Sequence, residues 1–227
     1  MSSALEKLYA TRFSKDDRVW KRQVWSILWN RVFVKWVKPA DVLLDLGAGY
    51  CEFINSAVAA RRIAVDLNPE TQKLAAPGVE VRANSAEDLS FLADGSVDVV
   101  FSSNFLEHLP SKEVLTRVLL EAGRILRPGG TILLMGPNIR YLADRYWDYF
   151  DHHLALSHES LSEVLMLHGF ELTQVEPKFL PYTVKNKGPR WRWLVELYLL
   201  LRPISSGLLG KQFLIAARRE AATPPAQ

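Results

Sequence analysis

Cysteine is almost absent from this chain of 227 residues, which contains only Cys51. An internal disulfide is therefore excluded, and the composition fits a reducing compartment. Long apolar runs are also missing, since the stretch at residues 193–201 is interrupted by Glu196 and is too short to cross a bilayer. The N-terminal residues include charges where a signal peptide needs an apolar run. We therefore expect a cytoplasmic protein without a membrane-spanning segment.

The net charge of +3 conceals an uneven distribution of charge. Residues 1–38 carry nine lysines and arginines against three acids, and residues 39–176 carry ten against twenty. Residues 177–211 carry seven against one acid, Glu196, and six of the seven tryptophans lie in the two basic flanks. These flanks favour an anionic partner, either a phosphate-bearing acceptor or the anionic inner face of the membrane.

Two patterns of apolar residues organise the chain. Aromatic residues recur at helical spacing within residues 17–37, which predicts a helix and an N-terminal helical cap at residues 1–38. These aromatic residues are Trp25, Trp29, Phe33 and Trp36. From residue 41 onward, short apolar runs alternate with helical segments, which is typical of a mostly parallel sheet covered on both faces. The tail at residues 221–227 is expected to be disordered.

The same reading of the sequence assigns the elements of this sheet. A strand with a glycine turn is predicted at residues 42–49, and strands are predicted at residues 62–68, 79–84, 97–103, 131–136, 170–176 and 211–219. Helices are predicted at residues 50–60, from Pro69 onward, and at residues 111–126 and 160–168. Gly129 and Gly130 are expected to close the third of these helices.

Ligands of such sheets bind at the carboxyl ends of the strands. The first strand ends in DLGAG, which contains Asp45, Gly47 and Gly49, and Asp66 closes the second strand nineteen residues after Gly47. Glycines permit a tight turn and a close approach of a ligand, and an acid at this distance suits ribose hydroxyls. Alternatively, Asp66 caps the helix that Pro69 opens.

A nicotinamide dinucleotide and S-adenosylmethionine both fit this pattern. Asp45 precedes the glycines, and Glu52 replaces the third glycine of a G-x-G-x-x-G sequence. Two carboxylates would repel a pyrophosphate, which prefers bare amides at a helix N-terminus. The same carboxylates attract the ammonium and sulfonium of S-adenosylmethionine, so the charges favour this cofactor.

Over about residues 38–176, the chain resembles class I S-adenosylmethionine-dependent methyltransferases of the methyltransferase type 11 group. The resemblance rests on five motifs in order, VLLDLGAG, AVDLN, NSAEDLSF, VDVVFSSNFLEHL and RILRPGGTILLMGPN. It implies an α/β enzyme with a Rossmann-like, doubly wound, seven-stranded sheet, mostly parallel with one antiparallel strand and with helices on both faces. The methyltransferase domain would span residues 39–220.

The resemblance also implies nine cofactor-binding residues. Those at the methionine end are Asp45, Gly47, Ala48, Gly49 and Asn104. Those at the ribose and adenine are Asp66, Leu67, Ser85 and Ala86. Ser85 departs from the aspartate usual in the third motif, and a hydroxyl accepts from the adenine amino group more weakly than a carboxylate does.

Histidine is the natural base for a hydroxyl acceptor near neutral pH. His108 is expected to begin the helix after the fourth strand and to face the cleft, either as the base or in a structural or acceptor-positioning role. His152 and His153 are candidates for contacting the acceptor, whereas helix capping explains His158 equally well. The spacing of these residues defines no metal site.

Residues 177–211 form an insert where this fold normally has a short hairpin. They form either a helix packed on the domain or in a homodimer interface, or an acceptor lid that rests on an anionic membrane. The function predicted is O-methylation of a small or lipid-linked saccharide-type acceptor. The alternatives are a non-catalytic cofactor-binding module and a methyltransferase for another small metabolite. Nothing resembles the N-P-P-[YF] sequence used on base amino groups, which argues against nucleic acid.

Overall fold

A computed structural model of the protein describes residues 15–182 and 190–221. Its strands are β1 Val42–Leu46, β2 Arg61–Val65, β3 Val79–Arg82, β4 Val97–Ser103, β5 Leu126–Pro137, β6 Phe170–Glu176 and β7 Gln212–Arg219. They form one sheet in the order β3-β2-β1-β4-β5-β7-β6. The strands β1 to β5 pair in parallel, whereas β7 is antiparallel to both of its neighbours. The predicted Rossmann-like sheet with one antiparallel strand is therefore confirmed.

Helices cover both faces of this sheet. They are α1 Lys15–Arg31, α2 Glu52–Ser56, α3 Pro69–Leu74, α4 Lys112–Ile125, α5 Ile139–Leu142, α6 His158–Leu167, α7 Arg192–Leu200 and α8 Arg202–Leu209. Successive strand residues point to opposite faces, so Leu43 enters one core with α1 and α2, while Leu44 enters the other with α4 and α6. Apolar residues therefore occupy both faces of the central strands.

The N-terminal helix forms where its aromatic spacing predicts it, but α1 ends at Arg31 and a 3-10 turn, Phe33–Lys35, follows. Its aromatic face packs on the sheet. The ring centroids of Trp25 and Phe101 lie 5.8 Å apart at right angles, and those of Phe33 and Phe101 lie 5.2 Å apart. These edge-to-face contacts fix the helix against β4.

Two helix boundaries differ from the prediction. A helix is expected at residues 50–60, but only the short helix α2 forms there. It ends at Ser56 because the backbone at Ala57 is already extended, with φ −78° and ψ 147°. The helix α4 passes directly into β5 at Leu126, so Gly129, with φ +73°, turns within the strand instead of closing the helix. The prediction that Gly130 takes part in this closure is also wrong, since its φ is not positive.

The start of α6 also corrects an expectation. Ser157 is its N-cap and forms a capping box with Ser160, whereas His158 is the first helical residue and does not cap the helix. Instead, Nδ1 of the buried His158 lies 3.0 Å from the side-chain nitrogen of Asn138. His158 therefore holds α6 against the end of β5.

The insert at residues 177–211 contains α7 and α8. Residues 183–189 of the insert, the first fourteen residues of the predicted cap and residues 222–227 of the predicted tail lie outside the described residues. In the ranges that are described, no helix is long and apolar enough to cross a membrane.

Candidate functional site

A cavity of about 940 Å³ lies at the carboxyl ends of β1, β2 and β4. All nine residues predicted to bind the cofactor line it, namely Asp45, Gly47, Ala48, Gly49, Asp66, Leu67, Ser85, Ala86 and Asn104. The three candidate histidines, His108, His152 and His153, line the same cavity. The fold thus brings both predicted sets together, while their individual roles remain predictions.

The turn after β1 requires glycine at residue 47. Gly47 has φ +75°, and a Cβ atom there would lie 2.4 Å from the ring of Phe105. Its amide donates to the carbonyl of Val65 at 2.9 Å, which ties the loop to β2. Gly49 also has a positive φ, +50°, but a Cβ there would meet nothing within 4 Å. Of these two glycines, only Gly47 therefore combines a left-handed backbone with a close contact.

The carboxylate of Asp66 joins two loops at the cavity wall. Its Oδ2 accepts from the Gly49 amide and its Oδ1 from the Asn68 amide, both at 2.7 Å. The cap of α3 is the side chain of Asn68, which accepts from the Glu70 amide at 3.0 Å, so the capping alternative for Asp66 is wrong. Each carboxylate oxygen has a second lone pair, and these can accept from ribose hydroxyls.

Three acids, Asp45, Glu52 and Asp66, surround the glycine loop, which is the turn at residues 47–49. Burial raises the pKa of all three, and for Asp45 the neighbouring charges of Asp66 and Glu52 raise it further. The ammonium of Lys21 partly offsets this effect at Glu52. Within the described part of the chain, the buried Oε1 of Glu52 has no hydrogen-bond partner. This acidic, partly unsatisfied wall fits a cationic ligand and disfavours a pyrophosphate.

The residues predicted to contact the adenine also line the cavity. Leu67 is half-exposed and apolar, and the buried Ala86 contributes to the same lining. The hydroxyl of Ser85 accepts from the Glu87 amide at 3.3 Å and so is already engaged in its own turn. Asn104, in the turn after β4, has φ +49°, and its backbone amide donates to the carbonyl of Met135 at 2.9 Å. The left-handed backbone of Asn104 thus positions the turn after β4 at the cavity edge.

His108 ends a 3-10 turn, Leu106–His108, so the expectation that it begins a helix is wrong, because α4 starts at Lys112. Its Nδ1 lies 2.8 Å from the carbonyl oxygen of Asp151 and 3.4 Å from Asp151 Oδ2. Because a carbonyl only accepts, Nδ1 is the protonated nitrogen, and in the neutral tautomer the lone pair is on Nε2. This tautomer is the one that a general base requires.

The two neighbouring histidines differ in their surroundings. His152 is buried, with its ring centroid 4.9 Å from that of Tyr146 and 5.1 Å from those of Tyr149 and His108. His153 is exposed, and its backbone amide donates to the carbonyl of Glu107 at 2.8 Å. His152 therefore packs against the ring of His108, whereas the side chain of His153 is open to solvent.

Glu107 is a site residue that the sequence reasoning missed. It is buried, burial raises its pKa, and its Oε1 lies 3.9 Å from Nε2 of His108. One potential ligand atom from each of Glu107, His108 and His152 lies within 4.8 Å of the others. The grouping depends on residues far apart in the chain, so spacing could not reveal it, and by itself it carries no metal assignment.

Two helices form a roof over the cavity. Trp20, Lys21, Val24 and Trp25 line it from α1, and Trp191, Leu194, Val195 and Tyr198 line it from the insert. Arg31 of α1 pairs with Glu196 of α7 at 3.0 Å, and Arg190 pairs with Asp17. The described part of the insert therefore packs beside α1 at the cavity wall.

The fold and the site together define a domain that binds a cationic, adenosine-bearing cofactor at the switch point of a doubly wound sheet. The family model of the methyltransferase domain, Methyltransf_11, matches residues 44–134. Residues 44–134 therefore carry a methyltransferase domain, and this similarity supports a class I S-adenosylmethionine-dependent methyltransferase with S-adenosylmethionine as its cofactor.

Individual relatives agree with this assignment. A ubiquinone biosynthesis O-methyltransferase of Xanthomonas campestris is 34% identical over 42% of this chain and 43% of that protein. A Mycolicibacterium smegmatis protein named "probable S-adenosylmethionine-dependent methyltransferase" is 33% identical over 58% of this chain and 52% of its own. The chain thus spans about half the length, or less, of these curated relatives.

A solved structure shows the same fold. The S-adenosylmethionine-dependent methyltransferase of Archaeoglobus fulgidus superposes with a TM-score of 0.65 at 21% identity, over 87% of this chain and 94% of that one. At this identity the likeness concerns the fold and says nothing about the acceptor.

Proposed function

We propose that this protein transfers the methyl group of S-adenosylmethionine to a hydroxyl oxygen of an amphipathic acceptor. The observation that carries the proposal is the orientation of His108. Its Nδ1 is held by Asp151 at 2.8 Å, and its ring lines the same cavity as the glycine loop and Asp66. When bound, the cofactor supplies a methyl group made electrophilic by the sulfonium.

Residues of the chain bind the cofactor, remove the proton of the acceptor and exclude water. The acids Asp45 and Glu52 favour the cationic end of the cofactor, and Asp66 accepts from its ribose. His108 takes the proton from the acceptor hydroxyl through Nε2, and Asp151 stabilises the imidazolium that results. The roof formed by α1 and α7 limits the access of water, which strengthens these charge interactions.

The lining of the roof supports an acceptor with an apolar part. Trp20, Trp25, Leu194 and Tyr198 line the cavity, and such surfaces bind rings and hydrocarbon chains. The relatives named as ubiquinone biosynthesis O-methyltransferases support oxygen as the methylated atom. Within the predicted acceptor class, we favour a lipid-linked compound. A saccharide-type head group stays a prediction that rests on the sequence alone.

Calorimetry tests cofactor choice, with the expected result that S-adenosylmethionine binds in the micromolar range and NAD does not bind. Tight binding of NAD without a response to S-adenosylmethionine would refute the assignment of the site. Turnover is tested with methyl-tritiated S-adenosylmethionine and a lipid extract of cells, followed by solvent partition. We expect label in the organic phase with the wild type and little with Asp66→Ala. Cofactor binding without transfer to any cellular extract would identify a non-catalytic binding module.

A further inference from the structure

The outward face of α7 and α8 is apolar to a degree that packing within the chain does not explain. Of the seventeen large apolar residues that are exposed within residues 15–182 and 190–221, eight lie between residues 191 and 209. They are Trp191, Trp193, Leu197, Leu200, Leu201, Ile204, Leu208 and Leu209, with exposures of 41% to 78%. Contiguous apolar surfaces of this kind mark binding sites for proteins or membranes.

These side chains share one continuous surface. The Leu201 amide donates to the carbonyl of Leu197, and the Ser205 amide donates to the carbonyl of Leu201, both at 2.9 Å. The helical hydrogen bonds thus continue from α7 into α8, and Pro203, which has no N–H, accounts for the division between them. Residues spaced by three or four along this path, such as Leu197, Leu200, Ile204 and Leu208, lie on the same side.

The other side of α7 is also apolar, because Leu194, Val195 and Tyr198 line the cavity. The helix therefore separates the cavity from the outer apolar face and presents no wide polar face to water. Its acid, Glu196, is paired with Arg31 at 3.0 Å, and Arg190 beside the helix is paired with Asp17. These pairs join α7 and the residues just before it to α1.

We infer that the outward face of α7 and α8 docks on the surface of an anionic phospholipid bilayer. Residues 177–211 carry seven basic residues against one acid, which complements anionic headgroups. The stacked rings of Trp191 and Trp193, with centroids 5.7 Å apart, suit the interfacial region where tryptophan is favoured. A second copy of the chain fits less well, since it would bring two basic segments together. Entry of the acceptor from this bilayer rests on the proposed function, whereas docking does not.

Flotation of the full chain with vesicles tests the inference without turnover. Vesicles of phosphatidylcholine alone and of phosphatidylcholine with phosphatidylglycerol are compared at low and high salt. The test variant is Leu200→Glu, Ile204→Glu and Leu208→Glu together. The matched control is Val58→Glu, Leu120→Glu and Leu167→Glu together, since these residues are also at least 50% exposed and lie outside the insert. Both variants lower the net charge equally, so only the position of the change differs.

We expect the wild type and the control to float with anionic vesicles, more strongly at low salt because salt screens the attraction. The test variant should partition about tenfold less, because its carboxylates face lipid in place of apolar side chains. Three results would overturn the inference: no flotation with anionic vesicles, an equal loss in both variants, or a wild-type dimer that only the test variant converts to monomers. Calorimetry then measures the binding of S-adenosylmethionine to both variants. Retained binding in a variant that no longer floats would show that the loss concerns docking and not the cofactor site.

Discussion

The replacement of Gly47 by alanine tests the geometry of the cofactor loop in two separable parts. Alanine at φ +75° pays a backbone cost of about 1–2 kcal/mol for the left-handed conformation. The added Cβ would also lie 2.4 Å, 2.6 Å and 2.7 Å from three atoms of Phe105, well inside van der Waals contact. Overpacking of this kind adds about 1–3 kcal/mol. We therefore expect Gly47→Ala to lower the free energy of unfolding by about 2–5 kcal/mol in total.

The chain provides a matched control for the backbone part. Gly49 has φ +50°, but its Cβ would meet nothing within 4 Å, so Gly49→Ala should cost only about 1–2 kcal/mol. The steric part is removed by Phe105→Gly, since Phe105→Ala would retain the Phe105 Cβ, 2.7 Å from the added Cβ. In that background, Gly47→Ala should cost about as much as Gly49→Ala does in the wild type, and the remainder is a coupling energy between residues 47 and 105.

The assay is urea unfolding of the cofactor-free variants, followed by tryptophan fluorescence and circular dichroism and fitted to a two-state model. Absence of the cofactor matters because binding would add its own stabilisation. Equal losses for Gly47→Ala and Gly49→Ala would refute the reasoning. A loss at Gly47 that Phe105→Gly leaves unchanged would show that the contact with Phe105 is not the cause.

Three further predictions concern the site. Asp66→Ala should weaken binding of S-adenosylmethionine by about 1–3 kcal/mol, the cost of unpaired ribose hydroxyls, and an unchanged calorimetric dissociation constant in a folded variant would contradict this role. His108→Ala should lower kcat by about 10²–10⁴-fold with little change in cofactor affinity, whereas His168→Ala, remote from the cavity, should retain activity; wild-type kcat for His108→Ala would exclude it as the base. Burial raises the pKa of Asp45 in the folded state, so its contribution to stability is present below its unfolded pKa and is lost as pH rises through the folded one. Unfolding in urea at several pH values should therefore show Asp45→Asn gaining stability relative to the wild type as pH rises, and a constant difference would argue against a buried charge there.

Local sequence patterns determined most of the sheet and the cofactor loop. A short, nearly continuous apolar run predicted the strand at Val97–Ser103 to the residue, because a strand that is buried on both faces needs such a run. The glycine loop and Asp66 were also found in the sequence, since the positive φ at Gly47 and the acid at the end of β2 are requirements of single positions. Patterns failed at element ends. The early end of α2 at Ser56 depends on how the following residues meet β2 and not on their helix propensity.

Only the tertiary structure decided which distant groups meet over this loop. The contact of His108 with Asp151 and the burial of Glu107 beside them depend on how the segment after β5 crosses the end of β4. The roof depends on α1 and α7, which come from opposite ends of the chain and meet through Arg31 and Glu196. No spacing along a sequence encodes such meetings, because the distance between two side chains is set by the packing of whole elements. Residue types and their periods thus predicted the sheet, and the motifs and charges at the strand ends indicated the cofactor, while packing determined the surroundings of the candidate base and the wall that an acceptor would face.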